Sequence, residues 1–280
     1  MASRTSISWT DATWNPWRGC HKVSQGCKSC YMFREQKRYG RDPNVVVRSK
    51  TTFYSPLGWK EPRKVFTCSW SDFFIAEADE WRSEAWSIIR RTPHLTYQIL
   101  TKRPENIAAR LPADWGEGYA NCWLGVSVED QSAAEERIPF LLKTPAAVRF
   151  LSCEPLLGPV RLDQCASVYG IGQYYNALEQ GIDWVIVGGE SGPHARPMHP
   201  GWARSIRDQC VGAGASFFFK QWGNWTTDLG GYTDYALDVV KRENNRRNFH
   251  AFPDGLVMRR INSKQEQAAM LDEVEWHQFP

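Results

Sequence analysis

Three cysteines fall within eleven residues, at Cys20, Cys27 and Cys30, in the pattern Cys-x6-Cys-x2-Cys. Thiolates are soft ligands suited to zinc or to iron–sulfur clusters. A structural zinc site closes with four protein ligands. This stretch offers three thiols, with His21 beside the first, and no second CxxC follows at zinc-ribbon spacing. Three thiolates and a vacant fourth position match a [4Fe–4S] cluster with one iron left open to a substrate or cofactor. The other five cysteines (68, 122, 153, 165 and 210) are scattered. Eight in 280 residues do not make a disulfide scaffold, so the cluster reads as a metal site first.

Further chemistry-bearing residues recur in one position, directly after short apolar runs. Ser69 and Asp72 follow VFTC, Lys102 and Arg103 follow TYQILT, and Ser127 and Glu129 follow WLGV. Cys153 and Glu154 follow RFLS, and Gly188, Gly189 and Glu190 follow WVIV. Such groups converge only if the runs are parallel strands whose C-terminal ends open on one face.

The elements that would do this are legible as an alternation. Strands are predicted at Ile7–Trp17, Val65–Phe74, Thr96–Thr101, Cys122–Val128, Val148–Cys153, Trp184–Val187 and Ser216–Lys220. Helices are predicted at Cys30–Tyr39, Ala78–Arg91, Pro104–Leu111, Ser132–Leu142 and Gly201–Val211. Continuously apolar strands separated by amphipathic helices indicate a parallel sheet, so the expected fold is α/β, a partial or complete βα barrel of six to seven strands. The barrel spans residues 1–223, with the cysteine loop at 18–31. Residues 224–280 lose the alternation and read as an irregular extension or a lid over the mouth.

Composition narrows the class. Hydrophobic residues are 42% and charged residues 23%, which excludes a disordered or fibrous chain. No apolar run reaches the roughly 18 residues of a membrane span, and residues 1–10 lack a secretory signal, so no membrane partner and a cytoplasmic location are expected. The net charge is +3, without any block of five or six like charges. Fourteen tryptophans exceed ordinary usage. Most would pack in the core, and some could stack on planar ligands.

Three cysteines after the first strand of a βα barrel, with Tyr31 directly after the CxxC, resemble the radical S-adenosylmethionine superfamily. The stretch Trp14-Asn15-Pro16-Trp17-x-Gly19-Cys20-x2-Val23-Ser24-x-Gly26-Cys27-x2-Cys30-Tyr31, with the later GGESG and SCEPLLG, also resembles a phage- and bacteria-encoded three-Cys-motif family of uncharacterised proteins. The likeness covers roughly residues 5–225. The common superfamily spacing is Cx3CxxC; here it is Cx6CxxC.

The resemblance implies that Cys20, Cys27 and Cys30 hold a [4Fe–4S] cluster whose open iron binds S-adenosyl-L-methionine. An external electron donor then drives its cleavage to a 5′-deoxyadenosyl radical. It further implies cofactor contacts from Tyr31, Ser69, Asp72, Lys102, Ser127, Glu129, Gly188 and Gly189. Lys102 or Arg103 would receive the cofactor carboxylate, Glu129 the ribose hydroxyls, and the Gly188–Gly189 pair the methionine end. Each has a structural alternative: solvated loop charges for the cations and a helix N-cap region for Glu129. Glu190 is a candidate site carboxylate. Cys153 and Cys68 are candidate hydrogen-atom donors, or else small buried hydrophobes. The substrate suggested by mild basicity, tryptophan content and phage context is nucleic acid, with repair of a DNA photoproduct by a lyase as the leading case. Two other classes compete: a zinc-stabilised barrel acting as hydrolase or nucleic-acid binder, and a non-catalytic iron–sulfur protein.

Overall fold

Seven strands lie side by side in chain order: β1 (Ala12–Trp14), β2 (Arg63–Thr67), β3 (Leu95–Thr101), β4 (Cys122–Ser127), β5 (Val148–Cys153), β6 (Trp184–Gly188) and β7 (Ser216–Gln221). Every neighbouring pair is parallel. The computed structural model describes residues 5–166, 173–227, 248–261 and 269–280. The connections carry α1 (Tyr31–Arg38), α2 (Asp79–Arg91), α3 (Gln131–Leu142) and α4 (Pro200–Ala213). Consecutive parallel order keeps the crossovers on one side, because βα connections are right-handed. The sheet therefore curls into an open half-barrel with the helices outside, the expected α/β architecture. Among the described residues, no helix is long and apolar enough to cross a membrane.

Strand alternation separates two cores. Val65, Tyr97, Ile99, Leu124, Val126, Leu151, Val185, Val187, Phe217 and Phe219 pack outward against the helices. Phe66, Phe150, Trp184, Ile186 and Phe218 face the concave side with Trp9. Phe150 lies over Gly125, where a Cβ would meet its ring at 2.5 Å. Small and large residues thus interdigitate across neighbouring strands, as a tapering interior requires. Most of the tryptophan excess is spent on packing: Trp9, Trp14, Trp17 and Trp184 are fully buried.

Two elements differ from expectation. The Ile7–Trp17 stretch pairs in the sheet only over Ala12–Trp14, because Pro16 has no N–H to donate; Trp17–Arg18 instead pairs antiparallel with Val47–Arg48. The expected helix at Pro104–Leu111 is two 3₁₀ turns, Pro104–Asn106 and Ala108–Arg110. The segment is too short to nucleate an α-helix, and tertiary bonds from Asn106 to the Phe74 carbonyl and from Trp86 to the Arg110 carbonyl set its path.

The extension after residue 223 does two things where it is described; residues 228–247 and 262–268 of that expectation lie outside the described residues. Residues 276–278 run beside β7: Phe219 N–H donates to the Trp276 carbonyl at 2.8 Å, and Gln278 N–H to that of Phe217 at 3.2 Å. Phe279 then packs on Trp184 and Phe218 at the base of the interior. A three-stranded sheet of Trp225–Thr226, Phe249–Ala251 and Val257–Arg260 instead supports the loop after β6. There Trp225 Nε1 donates to the Ala195 carbonyl at 2.8 Å, and Arg260 to that of Gly192 at 2.9 Å.

Candidate functional site

The interior changes character along the strands. Its lower part is aromatic. At the C-terminal ends the inward positions become Ser127, Ser152 and Gly188; the register sets Ser127 beside Ser152, and Gly188 lies two residues beyond Ile186, the partner of Ser152. Above them Glu154 pairs with Lys220 at 2.7 Å and accepts from Ser152 Oγ at 3.3 Å. Gly188 leaves room for this carboxylate, since a Cβ there would lie 2.8 Å from Glu154 Oε1. Glu154 and Lys220 were legible only as strand-end residues; the chain separates them by 66 positions, and only the curl of the sheet joins them.

The cysteine loop lies across this mouth. Gly19 has φ of +96°, and a Cβ would meet the Val45 carbonyl at 2.3 Å, so glycine is required for the loop to rest on residues 41–47. Arg103 clamps the loop: it reaches Cys20 Sγ at 3.6 Å, the His21 carbonyl at 2.8 Å and Asp72 Oδ2 at 3.3 Å. Gly26 rests on Glu129, where a Cβ would stand 2.3 Å from Oε1. Ser24 Oγ donates to the same oxygen at 2.8 Å and lies 3.8 Å from Cys27 Sγ. His21 turns away to Glu77 at 2.5 Å. Burial first, then the Asp72 charge, push the Cys20 thiol up to about 12, and burial also raises Cys30.

Among the described residues, no three His, Cys, Asp or Glu side chains already form a metal-holding group. The donor set nonetheless fits an iron–sulfur cluster in kind. It comprises three thiols on one loop at the polar mouth, with no fourth cysteine in the loop.

Carboxylates at the strand ends are all engaged by the protein itself. Glu129 is buried and ion-paired to Lys102 and, at 2.7 Å, to Arg137. Desolvation works to raise its pKa, but the Lys102 and Arg137 charges and the bonds from Lys102 and Ser24 hold it down at about 2. Asp130 is the N-cap of α3, accepting from Ala133 N–H at 2.9 Å, which frees Glu129 from that duty. Asp72 accepts from Thr101 Oγ1 at 2.7 Å and from the amides of Phe74 and Lys102, so it anchors the loops after β2 and β3. Glu190 is bidentate to Arg196, at 2.8 Å and 2.6 Å, and Arg196 reaches the Gln25 carbonyl at 3.0 Å. This fork joins the loop after β6 to the cysteine loop, a linkage with no spacing signal in the sequence.

The remaining expected residues fall into two groups. Tyr31 is at the mouth, its hydroxyl donating to the Ser69 carbonyl at 2.6 Å, and Ser69 Oγ is held by Asn15 at 3.0 Å. Asn15, which also accepts from Trp70 N–H at 2.8 Å, is a site-organising residue that sequence reading passed over. Cys153 and Cys68, by contrast, pack in the helix-side core and do not line the interior; the inward residue at the end of β5 is Ser152. Burial pushes both thiols well above the ordinary range. Gly189 serves the chain's own packing, because a Cβ there would sit 2.0 Å from the Trp222 carbonyl oxygen. Gly189→Ala is expected to lower unfolding free energy by about 1–3 kcal/mol, the range for overpacking against a fixed neighbour, and urea unfolding measures it.

Fold and site together define an open parallel βα half-barrel with a three-cysteine loop at the C-terminal ends of its strands. The chain belongs to the family described as a protein of unknown function (DUF5131), which matches residues 4–280. No curated protein and no solved structure matches it.

Proposed function

We propose that this chain is a radical S-adenosyl-L-methionine iron–sulfur enzyme of the radical-SAM barrel type that acts on nucleic acid, with DNA photoproduct repair as the leading reaction. The observation that carries the reading is the three-thiol loop lying across a polar barrel mouth, with three donors and no fourth cysteine in the loop itself. When bound, the cluster and cofactor would supply a carbon radical made by one-electron cleavage of the sulfonium, fed by an external electron donor.

The chain's own residues have separable duties in this reading. Cys20, Cys27 and Cys30 would hold the cluster. Arg103 and the Glu129–Lys102–Arg137 group fix the loop that carries them. Ser127, Ser152, Glu154 and Lys220 present polar groups to the interior, where they can bind and orient a polar ligand. The aromatic lower interior, plugged by Phe279, excludes water from below.

The test is anaerobic reconstitution followed by reduction with dithionite and addition of S-adenosyl-L-methionine. The expected result is a brown protein with about four irons that releases 5′-deoxyadenosine. A colourless protein that holds zinc and leaves the cofactor intact overturns the reading. Irradiated DNA is then incubated with the reduced enzyme; cofactor cleavage with an unchanged pyrimidine-dimer profile rejects repair as the reaction.

A further inference from the structure

Residues 18–50 contain nine Lys or Arg against two acidic residues, a net +7, whereas the whole chain is +3; all other residues together carry −4. The positive charge is therefore concentrated on the cysteine loop, α1 and the segment that follows. Much of it is uncompensated. Glu35 is shared between Arg34 and Arg38 at 3.5 and 3.8 Å. Among the described residues, the exposed Lys37, Arg41 and Lys50 have no carboxylate within 4 Å.

Aromatic rings are interleaved with these charges and open to solvent. Tyr39, 59% exposed, stacks on Trp70 with centroids 6.4 Å apart and planes at 27°. The Arg41 guanidinium lies over the Tyr39 ring at 5.6 Å. Trp70 follows Ser69, whose carbonyl receives the hydroxyl of Tyr31, itself 43% exposed. The aromatic strip thus leads from the outer end of α1 to the mouth. The same surface is packed onto the cysteine loop, since Cys20 N–H donates to the Pro43 carbonyl at 2.9 Å.

We infer that the α1 face and the 37–50 segment, with the stacked Tyr39–Trp70 pair, form a docking surface for a single-stranded nucleic acid whose path ends at the barrel mouth. Unpaired cations track the phosphates, and a flat exposed ring accepts a base irrespective of its identity. An acidic protein would use the charges but has no need of the stacked rings. This inference rests on the nucleic-acid part of the proposed function and supplies the contact surface for it.

The test uses the full chain and a fluorescein-labelled single-stranded DNA of about 16 nucleotides, read by anisotropy between about 50 and 200 mM salt. The triple reversal Lys37→Glu, Arg38→Glu, Arg41→Glu is expected to weaken binding at least about 100-fold and to shrink the salt slope by about 2, at about 0.7 per lost phosphate contact. Tyr39→Ala, a surface change that leaves the charges in place, is expected to weaken it about ten-fold. Lys60→Glu, exposed and just before the entry to β2, is the control for a single charge reversal off this surface and is expected to change it less than about two-fold. The surface is overturned if the triple variant binds like the control. It is also overturned if polyglutamate competes as well as unlabelled DNA while Tyr39→Ala binds like wild type, which would mark a protein partner. Cofactor cleavage by the reconstituted wild-type chain is scored separately. Cleavage without oligonucleotide binding overturns the surface and keeps the enzyme reading. Binding that is lost on charge reversal, without any cleavage, keeps the surface and overturns the enzyme reading.

Discussion

Glu129→Ala is expected to lower the free energy of unfolding by about 3–5 kcal/mol, the scale for removing one partner from a buried ion pair. Glu129 and Arg137 are 1% and 3% exposed, so the variant strands the Arg137 guanidinium without a counter-charge. Lys102, more exposed, can re-solvate and contributes less. The same substitution removes the floor on which Gly26 and Ser24 rest, so the cysteine loop loses a support as well as the charge. The pH dependence has a definite sign. The Glu129 carboxyl is held at about 2 against an ordinary value of 4.5, so its contribution is present above about pH 4.5 and is lost as pH falls toward 2. That shift corresponds to about 3 kcal/mol, which agrees with the lower end of the mutational scale. Urea unfolding of wild type and Glu129→Gln should therefore differ most near neutral pH, with the gap narrowing in acid. A gap that is small at pH 7, or that widens in acid, contradicts the buried-pair account.

Cys27→Ala is expected to reduce iron in the reconstituted protein from about four per chain to less than about one, and to abolish cofactor cleavage. Cys27 is the informative position because it is the buried thiol of the loop and lies beside Ser24, which is bonded to Glu129. The side chain is small, so truncation should cost only about 1 kcal/mol of stability. Circular dichroism then separates loss of metal from loss of fold. Cys153→Ala is the matched comparison: its thiol lies in the helix-side core, and the variant should retain full iron content. Equal iron in Cys27→Ala and wild type would remove the loop from the metal site and with it the proposed chemistry.

Strand ends were readable because a parallel strand buried on both faces is a short apolar run, and the polar residue that ends it is visible in one dimension. This is why Ser127, Glu129, Gly188 and Glu190 were found at the mouth. What these residues do there was not readable. Asp72 and Lys102 look like free site charges in sequence, yet each is engaged by a group from another strand end. Cys153 stands next to Glu154 at a strand end, but the two-residue period of a strand turns it to the helices while Ser152 turns inward. The basic surface likewise has no one-dimensional signal. Its charges are spread singly or in pairs along a loop and helix, so no run of five or six like charges forms in the sequence.

The order of elements, the parallel α/β class and the position of the three-cysteine loop were determined by the sequence alone, because hydrophobic periodicity and local spacing are one-dimensional signals. Tertiary structure alone decided which partners neutralise which charges. The Glu154–Lys220 and Glu190–Arg196–Gln25 linkages and the Arg103 clamp on Cys20 join residues from different strand ends or loops. It also decided that the chain's end plugs the base of the barrel while its small sheet supports the mouth. Such pairings depend on the curl and register of the whole sheet, and no local stretch of sequence encodes those quantities.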